Sequence, residues 1–505
     1  MRRRKFLKLS GGAALAGATS LGSGGSLGPA TLAEVAETST KDAPAVANTY
    51  NASDHRQRLE NIAICERGIR KCLRRHLITN YLAGQCCYNL GEYPCRKVWD
   101  PDDWDEHELD SLKEQGISLI QVHEDWCDSQ RLFGADKYSP LNPAGFHRFV
   151  EMVHRRGMKL IVYASSGFFD RRDPDFRKEW ARDQDLIEIY YHYARCSPAS
   201  PGWRAYLLPH LVKIMDEYGA DGLYDDLGYV PLAGNPQPPT ANEVLAFEES
   251  DRDEGALGDL LGLIYGEVKR RGGIFKVHHS GASRPRTELK VYDYLWVGEG
   301  GRNLDTLREA VKNHPPYVVP CPDMSRVKIE NEDELFLQSI PYMQFPLLLA
   351  GRPFTGERAL IPGIQYQPEA NDFWTRHCRA IWRYYRAHPD GPYSYGWWDS
   401  VPGRPEARPT HARWLKQYLP VVEEGTWAWL EISESDFFPR PLPENVVASA
   451  FANRALFLVL ANYGQEDVEV ETSQTYSLAA GSPEAKRQWR LKARTLQILK
   501  PSGQA

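Results

Sequence analysis

The sequence predicts an α/β fold, a (β/α)8 barrel followed by a small C-terminal antiparallel β-sandwich. Three observations support this prediction. Short apolar runs alternate with amphipathic helical patterns between residues 75 and 355, and beyond residue 420 the apolar residues recur with a period of two. A Pro- and Gly-rich segment, WWDSVPGRPEARPTHARW, separates the two regions. Strands that alternate with helices form parallel sheets, whereas period-two runs divided by turns form antiparallel ones.

The first 40 residues look like an export signal and leader rather than part of the fold. A basic start precedes a weakly apolar run rich in Ala and Gly and then small residues, which is the layout of a secretory signal. Arg3-Arg4-Lys5-Phe6-Leu7-Lys8 resembles the twin-arginine export motif, with Arg2 where Ser or Thr usually stands. We therefore expect a periplasmic or secreted protein that meets the membrane only during export. A basic disordered tail is the alternative.

Residues 41–75 are predicted to form an N-terminal extension and residues 76–400 the barrel. Eight strands are predicted there, near 77–87, 117–123, 159–165, 221–225, 274–279, 292–298, 317–321 and 343–350. Eight strands in this span suit the closed TIM barrel better than a doubly wound sheet. No G-x-G-x-x-G follows a strand and no G-x-x-x-x-G-K-[ST] occurs, so a nucleotide site is not supported.

Helical patterns lie between most of these strands. The pattern over 143–156 begins with Pro143 and ends at Gly157, and the pattern over 203–218 ends at Gly219. A third covers 257–271 and precedes two glycines. Residues 401–505 are predicted to contain the linker and the sandwich, because segments such as WAWLEISE and QWRLKARTLQILK alternate at period two.

Composition restricts the class of partner. The formal net charge is −6, which indicates no polyanionic partner such as nucleic acid. The 14 Trp and 26 Tyr residues suit stacking on sugar rings, although they are also good core residues. Nine cysteines, five of them between Cys65 and Cys95, fit an oxidising compartment, where disulfides would clamp that region. Zinc is less favoured because no pair of C-x-x-C repeats occurs.

Polar residues cluster where the predicted strands end. The second to sixth strands end in QVHEDW, YASSG, YDD, HHSG and WVGEGG. In (β/α)8 barrels the functional groups stand at the carboxyl ends of the strands. Several polar tips together therefore indicate an active site at this face of the barrel, rather than a set of solvated loops.

The segment GADGLYDDLG, residues 219–228, ends the fourth strand with two adjacent carboxylates. Side chains alternate along a strand, so Tyr224 and Asp226 share one face and Leu223 and Asp225 the other. The apolar Leu223 is expected to pack outward against helices, which turns Tyr224 and Asp226 toward the barrel interior. Asp226 is the predicted working carboxylate and Asp225 a supporting one, which would bond nearby loop amides or hold a neighbouring side chain; the reverse assignment is the alternative. Asp221, at the strand start, is predicted to be a structural cap.

A glycosidic reaction needs a second carboxylate across the pocket. Retaining enzymes hold their two carboxyl groups about 5–5.5 Å apart and inverting enzymes about 6.5–9.5 Å. Glu299 is the best candidate, because it follows Trp296 and Val297 and is flanked by glycines that leave room beside it. Desolvation next to Trp296 would raise its pKa, as an acid catalyst requires. Asp293 is the reserve, but its earlier place in the strand favours a structural role.

The motif GADGLYDD looks like the D-G-[LVI]-Y-x-D strand of many retaining glycoside hydrolase barrels. A barrel plus C-terminal β-sandwich is similar to clan D, families 27, 31 and 36, which contain α-galactosidases and α-glucosidases. The resemblance implies a nucleophile at Asp226 and an acid/base at Glu299. Two features depart from it: clan D usually has Asp as the acid, and this chain has no room for the large N-terminal β-domain of families 31 and 36. An Asp nucleophile with a Glu acid resembles instead the amylase-type barrels and the endo-α-N-acetylgalactosaminidase group.

The remaining strand ends supply candidate substrate-binding residues. They are His123, Glu124, Asp125, Trp126, Tyr224, Asp225, His278, His279 and Arg352. Trp126 would serve as an aromatic plate, and one of the tandem histidines would bind a hydroxyl near the nucleophile. Arg352 would bind a substrate hydroxyl or carboxylate, or else pair with a barrel acid.

The prediction is thus an exported glycoside hydrolase that cleaves an α-linked bond by a retaining two-carboxylate mechanism, without a cofactor. Two other classes stay open. His123, Glu124, Asp226, Glu299 and one of the tandem histidines could form a metal-dependent hydrolase centre, although the H-x-H pair of amidohydrolase-type barrels is absent. A secreted carbohydrate-binding protein on a disabled barrel would need only the aromatic and hydrogen-bonding residues.

Overall fold

The computed structural model describes residues 52–90, 99–123, 126–128, 135–171, 173–181, 193–226, 254–278, 291–297, 304, 308, 318–320, 331–352, 408–422, 425–481 and 484–502. All of them lie in one compact unit that spans Asn48–Ala505. No helix within these ranges has the length and apolar character needed to cross a membrane.

The described chain begins with helix α1 (Ala52–Gly68) and strand β1 (Ile69–Thr79), which belong to the C-terminal sheet treated below. Eight parallel strands then form the barrel. They are β2 (Gln85–Asn89), β3 (Leu119–Val122), β4 (Lys159–Tyr163), β7 (Gly222–Asp226), β8 (Ile274–His278), β9 (Tyr294–Val297), β10 (Val318–Pro320) and β11 (Leu348–Gly351). A short antiparallel hairpin, β5 (Phe168–Asp170) and β6 (Tyr193–Arg195), lies between β4 and β7.

The strand order is that of a barrel. Each strand pairs in parallel with its predecessor in the series from β2 to β10, and the last strand, β11, pairs in parallel with the first, β2. Only the contact between β10 and β11, which would complete the ring, is missing from the pairings among the described residues. An eight-stranded parallel sheet whose last strand pairs with its first is consistent with the (β/α)8 barrel predicted from the sequence.

The helices between the strands cover the outside of the barrel. They are α2 (Asp103–Glu114), α3 (Pro143–His154), α4 (Pro201–Asp216), α5 (Glu254–Arg270) and α6 (Asp333–Ser339). The predicted starts and stops of α3 are confirmed. Asn142 caps its first turn by accepting a hydrogen bond from the Gly145 amide at 3.0 Å, and Gly157 beyond its end has a φ of +65°.

Asp221 ties two barrel strands together at their amino ends, which is the cap role predicted for it. One of its oxygens accepts a hydrogen bond from the Leu160 amide at 2.8 Å and lies 2.7 Å from His154 Nε2, and the other accepts from Lys159 Nζ at 3.0 Å. Burial alone would raise the pKa of this carboxyl, but these bonds and the charge of Lys159 leave it below its usual value. Asp293 makes the same kind of contact between β9 and β8, because its carboxylate accepts a hydrogen bond from the Phe275 amide at 2.9 Å.

The C-terminal region forms one seven-stranded antiparallel sheet. Helix α7 (Arg408–Tyr418) leads into strands β12 (Thr426–Ser435), β13 (Val446–Ala452), β14 (Leu456–Asn462), β15 (Val468–Leu478), β16 (Lys486–Leu491) and β17 (Thr495–Pro501). The sheet order is β1-β12-β13-β14-β17-β15-β16. The predicted strand at 77–87 is therefore corrected: its first part ends β1 in this sheet, and its last part begins the barrel strand β2.

Side chains on both faces of strand β12 are buried, and their alternation along the strand explains why. Along β12, Trp427 and Trp429 face the core shared with the barrel, whereas Ala428, Leu430 and Ile432 face a second core. Helix α1 contributes Cys65 to that second core, together with Trp489 from β16. The predicted sandwich is thus observed as one seven-stranded sheet, with helix α1 packed against β12 and β13.

Helix α1 is fixed to this sheet by buried polar contacts. Arg58 Nε donates to Asn453 Oδ1 at 2.9 Å, and Asn61 Nδ2 donates to the Asn453 carbonyl at 2.6 Å. The predicted boundary between extension and barrel at 75/76 falls inside β1, so residues 52–79 belong with the C-terminal sheet. Among the described residues, Cys65, Cys72 and Cys86 are free cysteines. Cys95 lies outside the described residues, so the expected disulfide clamp between Cys65 and Cys95 stays a prediction.

Candidate active site

Four strands bring polar side chains together at the carboxyl end of the barrel. Asp226 at the end of β7 is in register with His278 at the end of β8, which is in register with Trp296 on β9. On the other side, Tyr163 at the end of β4 is in register with Tyr224. The alternation predicted for the fourth strand is observed: Tyr224 and Asp226 share the face that meets these neighbours.

Asp226 lies between two polar partners. Its Oδ2 accepts a hydrogen bond from the Tyr163 hydroxyl at 3.4 Å, and its Oδ1 lies 3.3 Å from His278 Nδ1. Only 3% of Asp226 is exposed, and His278 is also buried. Because a buried carboxylate needs hydrogen-bond donors, the two neighbours hold it in place at the mouth of the barrel.

Aromatic rings surround this carboxylate. The ring of Tyr224 lies 5.1 Å from Trp296 and 5.9 Å from Tyr163, centroid to centroid. The imidazole of His123 lies 4.9 Å from the ring of Tyr163, and that of His278 lies 6.1 Å from Trp296. These rings are all buried and pack beside the Asp226 carboxylate at the carboxyl end of the barrel.

His123 is an uncharged imidazole among these rings. Burial lowers its pKa from 6.5 to about 3; the negative charge of Asp226 opposes that shift, and His278 adds to it. At neutral pH the ring therefore carries one N–H donor and one acceptor nitrogen. It can exchange hydrogen bonds with a hydroxyl group without bringing a second charge to the site.

Asp225 points to the opposite side of β7. It accepts two hydrogen bonds from Ser166, at 2.7 Å from the amide to Oδ1 and at 2.6 Å from the hydroxyl to Oδ2. Burial raises the pKa of Asp225 to about 7, while the two bonds from Ser166 oppose the rise. The supporting role predicted for Asp225, that of bonding a nearby loop amide, matches these contacts.

A buried lysine lies one layer below the carboxylate. Lys276, two residues before His278 on β8, donates to Gln121 Oε1 at 2.7 Å, and its amine lies 6.0 Å from the ring centroid of Trp296. Within the described chain, Trp296 Nε1 and Gln121 Nε2 have no hydrogen-bond partner. This layer is therefore rich in donors, which suits acceptor oxygens rather than a cation.

Trp126 is not the exposed aromatic plate that the sequence predicted. Its side chain is fully buried, its ring lies 5.3 Å from that of Phe146, and its indole N–H donates to the Tyr163 carbonyl at 2.8 Å. Because a buried indole needs an acceptor, the ring turns behind strand β4 instead of toward a ligand. Trp126 supports Tyr163 from outside the site.

Arg352 is engaged in ion pairs at the start of helix α2. It lies 2.8 Å from Asp102 Oδ1 and also pairs with the buried carboxylate of Asp105. Its guanidinium lies 5.7 Å from the ring of Trp104. Of the two roles predicted for Arg352, the ion pair is the one that the structure shows, although its partners lie on a helix rather than at a strand end.

Four predicted site residues, Glu124, Asp125, His279 and Glu299, lie outside the described residues. The separation between Asp226 and Glu299 therefore stays a prediction. Among the residues that are described, no group of three or more His, Cys, Asp or Glu side chains is arranged to hold a metal ion.

Four residues of the site were not predicted from the sequence: Tyr163, Ser166, Gln121 and Lys276. Tyr163 and Ser166 lie in the predicted tip YASSG, but no single residue in it was selected. Because side chains alternate along a strand, Tyr163 and Ile161 share one face of β4, and this alternation would have predicted that Tyr163 faces the barrel interior. Lys276 was hidden in an apolar strand, where a charged residue among Phe275 and Val277 is itself a signal of a polar barrel interior.

No protein-family model matches the sequence, and no curated protein does. Three similar solved structures illustrate what the chain resembles. Trehalulose synthase from Pseudomonas mesoacidophila shares 12% identity at a TM-score of 0.47, covering 83% of this chain and 99% of that one. A putative α-amylase from Salmonella typhimurium shares 11% at 0.47, covering 83% and 82%. A Nostoc punctiforme debranching enzyme shares 12% at 0.45, covering 84% and 100%.

All three neighbours are named as enzymes, and none of the three names is that of an α-galactosidase or α-glucosidase of clan D. At these identities and TM-scores the likeness assigns neither a family nor an activity to this chain. The barrel is supported by the order of its strands, and the site is supported by the set of contacts described above.

Proposed function

We propose that the protein is a glycoside hydrolase that cleaves an α-linked glycosidic bond with retention of configuration. Asp226 is the nucleophile and Glu299 the general acid/base. The observation that carries the proposal is the buried Asp226 carboxylate at the mouth of the barrel, held by Tyr163 and His278 beside buried aromatic rings. A carboxylate held in one orientation at the carboxyl end of the barrel is what double displacement requires of its nucleophile.

The reaction follows in two balanced steps. Asp226 attacks the anomeric carbon while Glu299 protonates the departing glycosidic oxygen, so the bond to the leaving sugar breaks as the glycosyl–Asp226 ester forms. Glu299 then takes a proton from water, and the water oxygen displaces Asp226. The hydrogen bond from Tyr163 and the adjacent His278 ring stabilise the carboxylate as its charge returns in the second step.

The proposal is tested by replacing each carboxylate with its amide. Asp226→Asn and Glu299→Gln should each lower kcat by roughly 10³-fold or more on a glycoside found by screening aryl glycosides and polysaccharides. Asp259→Asn is a matched control, because its carboxylate is largely exposed and pairs with Arg204 on the barrel surface. Near-normal turnover by both site variants would refute the assignment. The anomer released first, followed by NMR, should have the configuration of the substrate.

Two treatments separate the other classes. Incubation with EDTA should leave activity unchanged, because neither step of the proposed mechanism uses a metal; loss of activity that added metal restores would favour the metal-dependent hydrolase. A carbohydrate-binding protein would bind glycans but release no product in long incubations. The donor-rich layer formed by Lys276 and Gln121 argues against a cation at that depth.

We also propose export by the twin-arginine pathway, based on the first residues of the chain. Arg3-Arg4-Lys5-Phe6-Leu7-Lys8 lies outside the described residues, and the proposal depends on that motif and on the weakly apolar run that follows. Replacing Arg3 and Arg4 together by Lys should retain the protein in the cytoplasm, as measured by cell fractionation. Export of this variant at the normal level would contradict the proposal.

A further inference from the structure

Buried side chains from several segments hold the tip of strand β4. Backbone carbonyls in the stretch 163–168 accept hydrogen bonds from them. The donors and acceptors are Trp126 to Tyr163 at 2.8 Å, Tyr138 to Ser165 at 2.9 Å, Trp203 to Ser166 at 3.0 Å, and Lys137 to Phe168. A six-residue loop with this many buried donors is fixed in one conformation, because breaking any of these bonds would leave a buried donor without its acceptor.

Asp225 is the carboxylate in this set of contacts, and it binds the middle of the tip. Both of its oxygens are used by Ser166, one by the amide at 2.7 Å and one by the hydroxyl at 2.6 Å. Asp225 is 1% exposed and Ser166 is 3% exposed. Both oxygens of Asp225 therefore bond the tip of β4 on the face of β7 opposite Asp226, which is the position of a supporting residue.

The tip begins at the residue that touches Asp226. Tyr163 leads directly into Ala164, whose amide donates to the Tyr224 carbonyl at 2.8 Å, and Ser166 follows two residues later. The Tyr163 hydroxyl donates to Asp226 Oδ2 at 3.4 Å. The position of the tip thus decides where this hydroxyl lies relative to the carboxylate.

The two adjacent aspartates therefore contact the same loop from two sides of one strand. Asp225 binds Ser166 behind the site, and Asp226 receives Tyr163 within it. We propose that Asp225 is a positioning residue, which acts through Ser166 to hold the Tyr163 hydroxyl on Asp226 during turnover. This inference rests on the proposed role of Asp226 as the nucleophile.

The expected kinetic consequence lies in kcat rather than KM. When the glycosyl–Asp226 bond breaks, the bonding electron pair returns to the carboxylate, and the Tyr163 O–H donates to that developing charge. A tip that has moved would weaken this hydrogen bond in the transition state without removing any contact to bound substrate. Interactions made chiefly in the transition state change kcat and leave KM nearly constant.

A double-mutant cycle on the full chain tests the proposal. Ser166→Ala removes one donor to Asp225, and Tyr163→Phe removes the hydroxyl. We expect Ser166→Ala to lower kcat roughly tenfold with KM changed less than about twofold, but to change kcat less than about twofold in the Tyr163→Phe background. Ser166→Thr keeps the hydroxyl and should restore at least half of wild-type kcat. Additive effects of the two substitutions would overturn the proposal, as would an effect confined to KM or to thermal unfolding.

Asp225→Asn supplies a second variant that does not depend on Ser166 being replaced. It should reproduce the loss of kcat seen with Ser166→Ala and should likewise depend on Tyr163. If Asp225→Asn instead abolishes turnover as fully as Asp226→Asn, and does so in the Tyr163→Phe background as well, Asp225 would be a catalytic residue and the positioning role is wrong.

The failure of this inference is distinguishable from failure of the proposed function. An active Asp226→Asn variant refutes the function, whereas an inactive Asp226→Asn combined with an unaffected Ser166→Ala refutes only the inference. If the wild-type protein hydrolyses no glycoside, the function is refuted, and hydrogen exchange then decides whether Asp225 anchors the tip. Loss of amide protection confined to residues 163–168 in Asp225→Asn supports the anchor, and unchanged protection contradicts it.

Discussion

Asp226 and His278 stand opposite each other on neighbouring parallel strands, with 3.3 Å between Oδ1 of the carboxylate and Nδ1 of the ring. Both side chains are buried at the carboxyl end of the barrel. Parallel register alone brings them together, because residues paired across two strands point to the same face. The imidazole therefore helps to hold the proposed nucleophile in place, and Nδ1 is the ring atom that contacts it.

Replacing His278 should lower turnover according to whether the new side chain keeps a donor near Asp226. His278→Ala removes it and should lower kcat by roughly 10- to 100-fold. His278→Asn can place an amide nitrogen close to the position of Nδ1 and should retain more activity. Steady-state kinetics of both variants give the comparison. His147→Ala, on the exposed side of helix α3, is the control and should behave as wild type; an Asn variant no better than Ala would contradict a role for Nδ1.

The barrel was predictable because its signal is local. Alternating apolar runs and helical patterns located the strands, and each predicted barrel strand overlaps an observed one. The first prediction joined two strands, because LITNYLAGQCC is one apolar run that bends at Asn80, a residue with a φ of +54°. Its first part pairs with β12, more than 300 residues further along the chain. Long-range pairing of this kind leaves no trace in local periodicity.

The parts of the candidate site that depend on a single strand were predictable from the sequence. The inward turn of Tyr224 and Asp226 and the backing role of Asp225 follow from alternation along β7 alone. Tyr163 required the register between β4 and β7, and Trp126 required the position of a carbonyl that only the folded chain supplies. Residues whose roles depend on a neighbouring strand are those that the sequence analysis missed or misplaced.

Asp221→Asn should destabilise the barrel in a pH-dependent way. The folded pKa of this carboxyl is lowered from 3.8, so its stabilising effect is complete above the unfolded pKa and is lost as pH falls through the folded value. We expect a loss of about 1–3 kcal/mol in the free energy of unfolding at pH 7. The difference from wild type should shrink below pH 4. Urea unfolding at pH 7 and pH 3 measures both values.

The control for this prediction is Asp259→Asn, whose ion pair with Arg204 is on the surface. Its free energy of unfolding should differ from wild type by less than about 0.5 kcal/mol at either pH. If Asp221→Asn is as mild as this control, then Asp221 does not tie β4 to β7.

His411 should make the protein sensitive to mild acid. Burial lowers its pKa from 6.5 to about 4, against the effect of its hydrogen bond with the Pro346 carbonyl, which lies 3.0 Å from Nε2. Between these two pKa values the unfolded chain binds a proton that the folded chain does not, so stability falls as pH drops from 6.5 to 4. His411→Gln should remove a pH-dependent loss on the order of 3 kcal/mol from the difference between pH 7 and pH 4.

Chemical denaturation across this pH range, compared between variant and wild type, isolates His411 from other titrating groups such as His123 and Asp225. His107→Gln is the control, because His107 lies on the exposed side of helix α2. Its unfolding profile should follow that of wild type. A His411→Gln profile with the wild-type slope would show that this ring is protonated in the folded protein.

Gly222 should tolerate no side chain at the start of strand β7. Its φ is +147°, and a Cβ added there would lie 1.9 Å from the Ile274 carbonyl oxygen and 2.7 Å from the Ile274 nitrogen. These are backbone atoms of the adjacent strand β8, so relief requires the two strands that carry Asp226 and His278 to move apart. Gly222→Ala should therefore cost more than about 3 kcal/mol in the free energy of unfolding, or prevent folding altogether.

Gly266→Ala is the matched control within the same β/α unit. Gly266 lies on the exposed side of helix α5, and no atom stands within 4 Å of its added Cβ. Alanine in a helix interior is more favourable than glycine, so this variant should be more stable than wild type by about 0.5–1 kcal/mol. Thermal and urea unfolding of the two variants should thus move in opposite directions. If the free energy of unfolding of Gly222→Ala lies within about 1 kcal/mol of the wild-type value, β7 and β8 do not approach this closely. The register that places Asp226 opposite His278 would then be wrong as well.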